Sequence, residues 1–450
     1  MSGPRGEFSS RLGFILAAAG SAVGLGNIWG FPTQAASNGG AAFLMVYLAM
    51  AFCLAYPALM AELIIGRHAK ANAVAALRLI SNNNVTRQLG AATGFAGMLT
   101  ASLILSFYAI VAGWMLAFAL APAIEIAGMT DVSTWLTSFG LERNLLFTGV
   151  FMVLTVSIIC GGVKDGIEKW SERLMPALLA ILFLLVVYVL TLDGAMEGLK
   201  AYLIPDFARA MNPNLIVSAM GQAFFSMSLG VGTMLIYGSY VSERENIISL
   251  GRSVTLIDIG IAVMAGMLIL PAMYVAQHNG VAIFDAAGKL IAEDTLIFTV
   301  LPALFDTMGG AGLAASFAFF ILMSIAALTS SISMLEVPVA YAVENHQLER
   351  KRATFLIGGI IATVSVILVF NFGALFGLVV TIATQYSQPM LGLMLCVFAG
   401  WVWQRNGVLL EIKKGVPDAE QGWFWRIWPG YVRYVCPAAI LTIFVQKIVS

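Results

Sequence analysis

The chain is poor in charge, in histidine and in cysteine. Only 11% of its 450 residues are Asp, Glu, Lys or Arg, against about 25% in a soluble domain. Basic and acidic residues number 24 each, so the formal net charge is zero. No nucleic acid or other strongly charged partner is implied, and no obligate protein partner is evident. The three histidines, His68, His278 and His346, are scattered near the ends of apolar runs. There is no HExxH-type zinc motif and no nucleophile–base pair, which argues against an intramembrane enzyme. The four cysteines, Cys53, Cys160, Cys396 and Cys436, fit neither a metal site nor a disulfide framework and read as packing residues. No cleavable leader is evident. The first apolar stretch carries a glycine-rich interruption and is expected to be retained.

What the chain has instead is apolar length. It is 60% hydrophobic with a mean hydropathy of +0.90, the composition of an all-α polytopic membrane protein. Eleven runs approach the ~20 residues needed to cross a bilayer. They lie near 11–33, 41–66, 89–121, 145–161, 167–191, 213–240, 252–277, 309–343, 354–371, 375–404 and 430–449. Lys and Arg placement orients them. With the N-terminus inside, 19 of the 24 basic residues fall in inner segments, in keeping with the positive-inside rule. An odd span count then puts the C-terminus outside.

Two of the runs are interrupted. The first contains Gly20-Ser21-Ala22-Val23-Gly24-Leu25-Gly26-Asn27, and the sixth contains Ser226-Met227-Ser228-Leu229-Gly230-Val231-Gly232-Thr233. Unwound backbone in a bilayer is tolerated only where it is buried or lines a cavity. Paired breaks in corresponding halves point to the substrate and ion site of a secondary transporter. The breaks are five spans apart, and an odd-numbered unit repeated in tandem must be inverted. The expected organisation is one transporter domain: repeat one at about 11–191, repeat two at about 213–404, and an additional helix at about 430–449.

The chemistry of the breaks follows from what unwinding frees. Carbonyls around Gly20 to Val23 are hard oxygen ligands suited to Na⁺. Amides around Gly24 to Gly26 favour an anion such as a carboxylate. Close packing of small residues accounts for Gly20 and Gly24 but poorly for the adjacent Asn27 or the matching break. Asp258, in the seventh run, reads as an ion ligand or as an interfacial residue near the helix start. Glu62 and Glu336 read as structural, Glu62 as a brace for the unwound sixth span. The cluster Thr329-Ser330-Ser331-Ile332-Ser333 either bonds back to its own helix or forms one wall of a Na⁺ site. Tyr108, deep in the third run, needs a partner: a substrate carboxylate or a backbone carbonyl.

These segments, in this order, closely resemble the neurotransmitter:sodium symporter family, bacterial amino-acid branch. The most specific pieces are Gly24-Leu25-Gly26-Asn27-Ile28-Trp29-Gly30-Phe31-Pro32, Asn38-Gly39-Gly40-Ala41-Ala42-Phe43, Gly221-Gln222-Ala223-Phe224-Phe225-Ser226-Met227-Ser228-Leu229-Gly230 and Leu328-Thr329-Ser330-Ser331. The resemblance implies a leucine-transporter-like fold, with a 5+5 inverted repeat, broken helices 1 and 6 and eleven transmembrane helices. It implies a multi-pass protein of the bacterial inner membrane, N-terminus cytoplasmic and C-terminus periplasmic. Two sodium sites are implied. One uses the Ala22 carbonyl, Asn27, Ser226 and Asp258 with the substrate carboxylate. The other uses the carbonyls of Gly20, Val23 and Ala326 with the hydroxyls of Thr329 and Ser330. The substrate carboxylate would meet Leu25, Gly26 and Tyr108, and the amino group Ala22, Phe225 and Ser228. Ile104, Phe225, Val231, Ser330 and Met334 would shape the side-chain pocket, with Tyr108 and Phe225 as an aromatic lid.

The same resemblance narrows the substrate. Monoamine-carrying relatives have an aspartate at the position of Gly24. Glycine there favours a substrate with its own carboxylate, an amino acid. Val231 stands where several relatives have phenylalanine, which implies a roomier pocket and a neutral, apolar or aromatic side chain. Chloride-requiring relatives have a serine near Ala262, beside Tyr47, Gln222 and Ser226. Alanine there, with Asp258 supplying a fixed charge, implies no chloride. One departure stands out. The usual outer-gate arginine is replaced by Gly30 and its aspartate partner by Val380. Losing both avoids an unpaired charge, leaving outer closure to apolar packing. The implied inner gate is intact in Arg5, Phe8, Ser239, Tyr240 and Glu344. The altered outer gate leaves two alternatives: a symporter of a less typical amino acid derivative, or a substrate-binding sensor that no longer transports.

Overall fold

The computed structural model describes residues 6–204, 206–283, 290 and 296–449. Among them the regular elements are helical. Eight helices are long and apolar enough to cross a membrane, and the number reaches ten when each of two bent pairs counts as one span. The sequence runs map onto them in order: Arg11–Ala22 with Gly26–Ser37, Ala41–Ala69, Asn84–Ile126, Leu141–Cys160, Val163–Leu190, Ile247–His278, Gly309–His346, Arg350–Phe370, Phe372–Val402 and Trp423–Gln446. The sixth run appears as two short helices, Pro213–Ser226 and Thr233–Ser239. They are numbered below as spans 1–11 in chain order.

Several boundaries differ from the sequence expectation. Span 3 runs to 43 residues, Asn84–Ile126, rather than 89–121. A reciprocal cap extends its start, because the Asn83 side chain accepts from the Thr86 N–H and the Thr86 hydroxyl accepts from the Asn83 N–H. Such a cap satisfies end donors that apolarity alone does not reveal. The last span begins at Trp423 rather than near 430. Its first turns, Trp423–Gly430, carry aromatic residues whose polar ends suit an interface,.

Both interruptions are present. Span 1 leaves helical geometry at Val23, whose φ/ψ of −72°/106° is extended, and its halves meet at 56°. The Asn27 Oδ1 accepts from the freed Gly24 N–H at 3.3 Å. Span 6 breaks between Ser226 and Thr233, where Ser228, Gly230 and Gly232 take φ of 51°, 91° and 83°. Glycine alone adopts such values without steric cost, so the two glycines make the break. The two breaks touch: the Ser228 hydroxyl donates to the Ser21 carbonyl at 3.1 Å, and the Gln222 amide donates to the Gly26 carbonyl at 2.7 Å. Glu62 Oε1 accepts from the Gly230 N–H at 2.7 Å, supporting the unwound chain from span 2. Spans 3 and 8 pack along each other beside this centre.

Candidate functional site

Unwinding places three buried polar side chains in one cluster. Asn27 comes from the break of span 1, Ser226 from the end of the first half of span 6, and Asp258 from the middle of span 7. Each is at most 1% exposed. The Asn27 amide donates to Asp258 Oδ1 at 2.7 Å and to the Asp258 carbonyl at 3.2 Å. The Ser226 hydroxyl donates to Asp258 Oδ2 at 3.1 Å, and the Tyr47 hydroxyl reaches Ser226 Oγ at 3.4 Å. A carboxylate in a membrane interior requires a compensating charge or several donors. Oxygen-rich surroundings with one formal negative charge are the donor set a small hard cation uses.

A second cluster joins span 8 to the other side of the same break. The Ser330 hydroxyl donates to the Gly20 and Val23 carbonyls at 3.3 and 3.0 Å. The Thr329 hydroxyl shares the Ala326 and Ile325 carbonyls, both at 3.1 Å. The hydroxyl cluster therefore divides. Thr329 bonds back to its own helix, while Ser330 reaches across to span 1. Ser331 turns to Thr155 at 2.9 Å, and Ser333 accepts from Ser21 at 2.7 Å. Ser330 with Gly20 and Val23, and Thr329 with Ala326, bring together the five residues expected for the second cation.

Between the clusters lies a cavity of about 40 Å³. All ten residues expected around the substrate line it, from Ala22, Leu25 and Gly26 to Ile104, Tyr108, Phe225, Ser228, Val231, Ser330 and Met334. Gly24, Phe107, Ser226 and Gln388 complete the lining. No lining residue is an Asp, Glu, Lys, Arg or His. Tyr108 is 6% exposed, and its hydroxyl accepts from the Leu25 N–H at 3.4 Å. A Cβ at Gly24 would lie 2.5 Å from Ser330 Oγ and 2.9 Å from the Tyr108 hydroxyl, so a side chain there would have to displace these two side-chain oxygens. Phe225 is 38% exposed and also faces an outer cavity of about 400 Å³.

Sequence comparison matches a family model described as "Sodium:neurotransmitter symporter family" over residues 5–125 and 123–450. The chain belongs to the sodium:neurotransmitter symporter family. A sodium-dependent transporter of Bacillus subtilis is 33% identical over 98% of this chain and 97% of its own length. One of Haemophilus influenzae is 30% identical over 99% and 98%. Among solved structures, MhsT in complex with L-phenylalanine superposes with a TM-score of 0.82 at 35% identity, covering 98% of this chain and all of that one. The protein is thus a sodium-dependent symporter with the leucine-transporter fold, and not an enzyme.

The end of the symporter expected to face outward carries no ion pair at the replaced positions, Gly30 and Val380. A Cβ at Gly30 would meet the Gln222 amide at 3.4 and 3.5 Å and the Leu25 carbonyl at 3.8 Å. Aromatic rings bridge the elements instead. Trp29 meets Phe298 edge-on at 6.0 Å, Phe298 meets Trp114 at 5.7 Å, and Trp114 meets Phe372 and Phe376 at 5.7 and 6.3 Å. Phe376 continues to Phe107 at 6.0 Å, beside the central cavity. The series joins spans 1, 3 and 10 to the helix Leu296–Thr307. The sequence reading anticipated apolar closure but named none of these rings, because ring contacts between distant spans leave no local pattern.

The opposite end, expected to face inward, is pinned by the N-terminal segment. The Phe8 N–H donates to the Tyr240 carbonyl at 3.2 Å, and its ring meets Tyr237 and Tyr240 at 5.8 and 6.3 Å. The Tyr240 hydroxyl donates to Glu336 Oε1 at 2.6 Å, and Arg350 pairs with Glu336 Oε2 at 2.5 Å. Glu344 Oε2 accepts from the Asn72 backbone and side-chain nitrogens at 2.8 and 2.9 Å. Ser239 is buried, and its hydroxyl donates to the Ile236 carbonyl at 2.5 Å. Arg5 lies outside the described residues. A further ion pair escaped the sequence reading. Arg67, at the end of span 2, bonds Glu411 Oε1 at 2.8 Å with both side chains buried. Glu411 sits on the helix Arg405–Lys413, which turns 97° from span 10. Burial alone would raise its carboxyl, but hydrogen bonds from His68 and Lys414 and the Arg67 charge outweigh it and push it down to about 2.

Proposed function

We propose that the protein is a Na⁺-coupled symporter that takes up a neutral amino acid, apolar or aromatic in its side chain, across the bacterial inner membrane by alternating access. The observation that carries this reading is the uncharged cavity set between two oxygen-rich clusters at the meeting point of two broken helices. At about 40 Å³ the cavity is smaller than an amino acid, so binding requires the lining to move apart; the chemistry of that lining suits a zwitterion. Its carboxylate faces the amides of Leu25 and Gly26 and the Tyr108 hydroxyl, its ammonium faces Ala22, Phe225 and Ser228, and an uncharged side chain avoids an unpaired buried charge. Glycine at position 24 supplies no carboxylate of its own, which supports a substrate that brings one. The L-phenylalanine in the MhsT complex is a substrate-sized example of the class.

Two sodium ions are proposed. One is held by the Ala22 carbonyl, Asn27, Ser226, Asp258 and the substrate carboxylate. The other is held by the carbonyls of Gly20, Val23 and Ala326 with Thr329 and Ser330. Each charge moved inward gains ~2.3 kcal/mol per 100 mV, so a second ion steepens accumulation. Chloride is not required, because Asp258 already balances the first cation and Ala262 offers no hydroxyl. The remaining features of the reading are eleven spans in two inverted repeats, a cytoplasmic N-terminus, a periplasmic C-terminus, an aromatic outer closure, and an inner gate of Arg5, Phe8, Ser239, Tyr240 and Glu344.

Purified protein in liposomes tests it. An inward Na⁺ gradient should drive accumulation of one neutral amino acid, K⁺ should not substitute, and gluconate for chloride should leave the rate unchanged. Binding without accumulation would favour a sensor, and a halt in gluconate would remove chloride independence.

A further inference from the structure

Most polar groups facing the central cavity are already engaged. The Ser228 hydroxyl is spent on the Ser21 carbonyl, and Ser330 on the Gly20 and Val23 carbonyls. Ser226 is bound to Asp258, and the Tyr108 hydroxyl accepts from Leu25. Gln388, on span 10, differs. It is 3% exposed, and its Oε1 has no hydrogen-bond partner among the described residues. Of the buried side-chain atoms left in that condition, it alone belongs to a residue lining the central cavity. A buried amide without partners is costly unless something later satisfies it.

Its position is fixed from behind. Span 10 is pressed against the break of span 6, where a Cβ on Gly230 would strike the Gln388 carbonyl. That contact sets the Gln388 backbone beside Gly230 and Val231. Val231 belongs to the apolar part of the lining with Ile104, Phe107 and Met334. Gln388 and Phe225 are the two residues that line both the central and the outer cavity. Gln388 therefore stands where the two cavities approach each other, beside the break of span 6. It can turn about its last bond and so presents either an acceptor or a donor.

We propose that Gln388 is a specificity-determining residue that hydrogen-bonds the far end of the substrate's side chain. The preferred substrate is then an amino acid with a bulky, mostly apolar side chain that carries one uncharged hydrogen-bonding group, such as an indole N–H, a phenol or an amide. The inference rests on the symport reading and deepens it. It supplies the one polar discrimination that the Ile104, Phe107, Val231 and Met334 surface lacks. A site that hydrogen-bonds a substrate group rejects the analogue without it far better than an apolar pocket rejects an added methylene.

The test is sodium-dependent equilibrium binding to the full-length protein, using matched pairs that differ in one hydrogen-bonding group: tryptophan and 1-naphthylalanine, tyrosine and phenylalanine, glutamine and methionine. The wild type should bind the polar member of at least one pair about fivefold or more tighter than its partner, the contribution of roughly one hydrogen bond. Gln388→Met should shrink that ratio below about twofold while leaving the hydrocarbon member within about twofold of wild type. A purely structural role would instead lower both members of a pair by the same factor, and that result would overturn the proposal. So would a wild type that favours the hydrocarbon member in every pair, a measurement that needs no variant to fold. A wild type that binds no amino acid in sodium would remove the symport reading itself, a different outcome from binding without discrimination.

Discussion

Replacing Asp258 by asparagine removes the one formal charge from the cation cluster while keeping its shape. The new amide oxygen would still accept from the Ser226 hydroxyl, which now lies 3.1 to 3.3 Å from the two carboxylate oxygens. The substitution would bring one amide-against-amide conflict with Asn27, whose Nδ2 now lies 2.7 Å from Asp258 Oδ1. The main effect is electrostatic. A unit charge pair at about 4 Å is worth ~4 kcal/mol at an effective dielectric constant of about 20. Asparagine's carbonyl dipole recovers part of that, leaving a loss of ~2–4 kcal/mol, or roughly 30- to 1000-fold in sodium affinity. The assay is a sodium titration of substrate binding, with choline holding ionic strength constant. The half-saturating sodium concentration should rise by at least about 30-fold, while size-exclusion behaviour and thermal midpoint in detergent stay close to wild type. A value within about threefold of wild type, with substrate still bound, would refute the assignment of Asp258 as a sodium ligand.

Other outcomes follow from the same geometry. Gly24→Ala places a methyl 2.5 Å from Ser330 Oγ and 2.9 Å from the Tyr108 hydroxyl, so substrate affinity should fall by about tenfold or more in a folded protein. Unchanged affinity would mean the cavity is not the substrate site. Arg67→Met leaves the buried Glu411 carboxylate with only His68 and Lys414, at 3.2 and 2.9 Å, and should cost ~1–3 kcal/mol of stability, read as a lower unfolding temperature; a shift of under about a degree would contradict the pair's role. Because Glu411 titrates near 2 rather than 4.5, its stabilisation is fully present above about pH 4.5 and is lost as pH falls towards 2. Glu411→Gln should flatten that part of the thermal-midpoint profile, and an unaltered slope would assign the acid sensitivity elsewhere. Phe298→Ala removes the ring that joins Trp29 to Trp114. It should speed labelling of a cysteine placed at Ile104 by an impermeant thiol reagent added outside, and an unchanged rate would show that the rings do not close the outer end.

The sequence announced some of this plainly. Close helix packing explains single small residues in a span but not two matching glycine-and-hydroxyl clusters five spans apart, so the breaks at Val23 and at Ser228–Gly232 could be read directly. Asp258 was legible for the same reason, since an acid amid Val254 to Leu270 needs a function or a partner. The ten lining residues came from the family resemblance, not from spacing, and the structure gathers them in one cavity. Other features were beyond reach. Gln388 sits in Tyr386-Ser387-Gln388-Pro389, a polar stretch of span 10 that could have drawn notice. Whether its amide is partnered, however, depends on spans 6 and 10 meeting at Gly230. The ring series from Trp29 to Phe107 and the Arg67–Glu411 pair join residues far apart in the chain. Such contacts are set by packing, which no local periodicity encodes.

In the proposed mechanism, two interrupted helices hold sodium against a bound amino acid. The most direct measurement is the thermal midpoint of the purified protein with a neutral amino acid, in sodium and in equimolar potassium. Coupled binding predicts that the amino acid raises the midpoint in sodium and leaves it unmoved in potassium, with the shift lost in Asp258→Asn at the same sodium concentration. An equal ligand-induced rise in both salts would contradict the account.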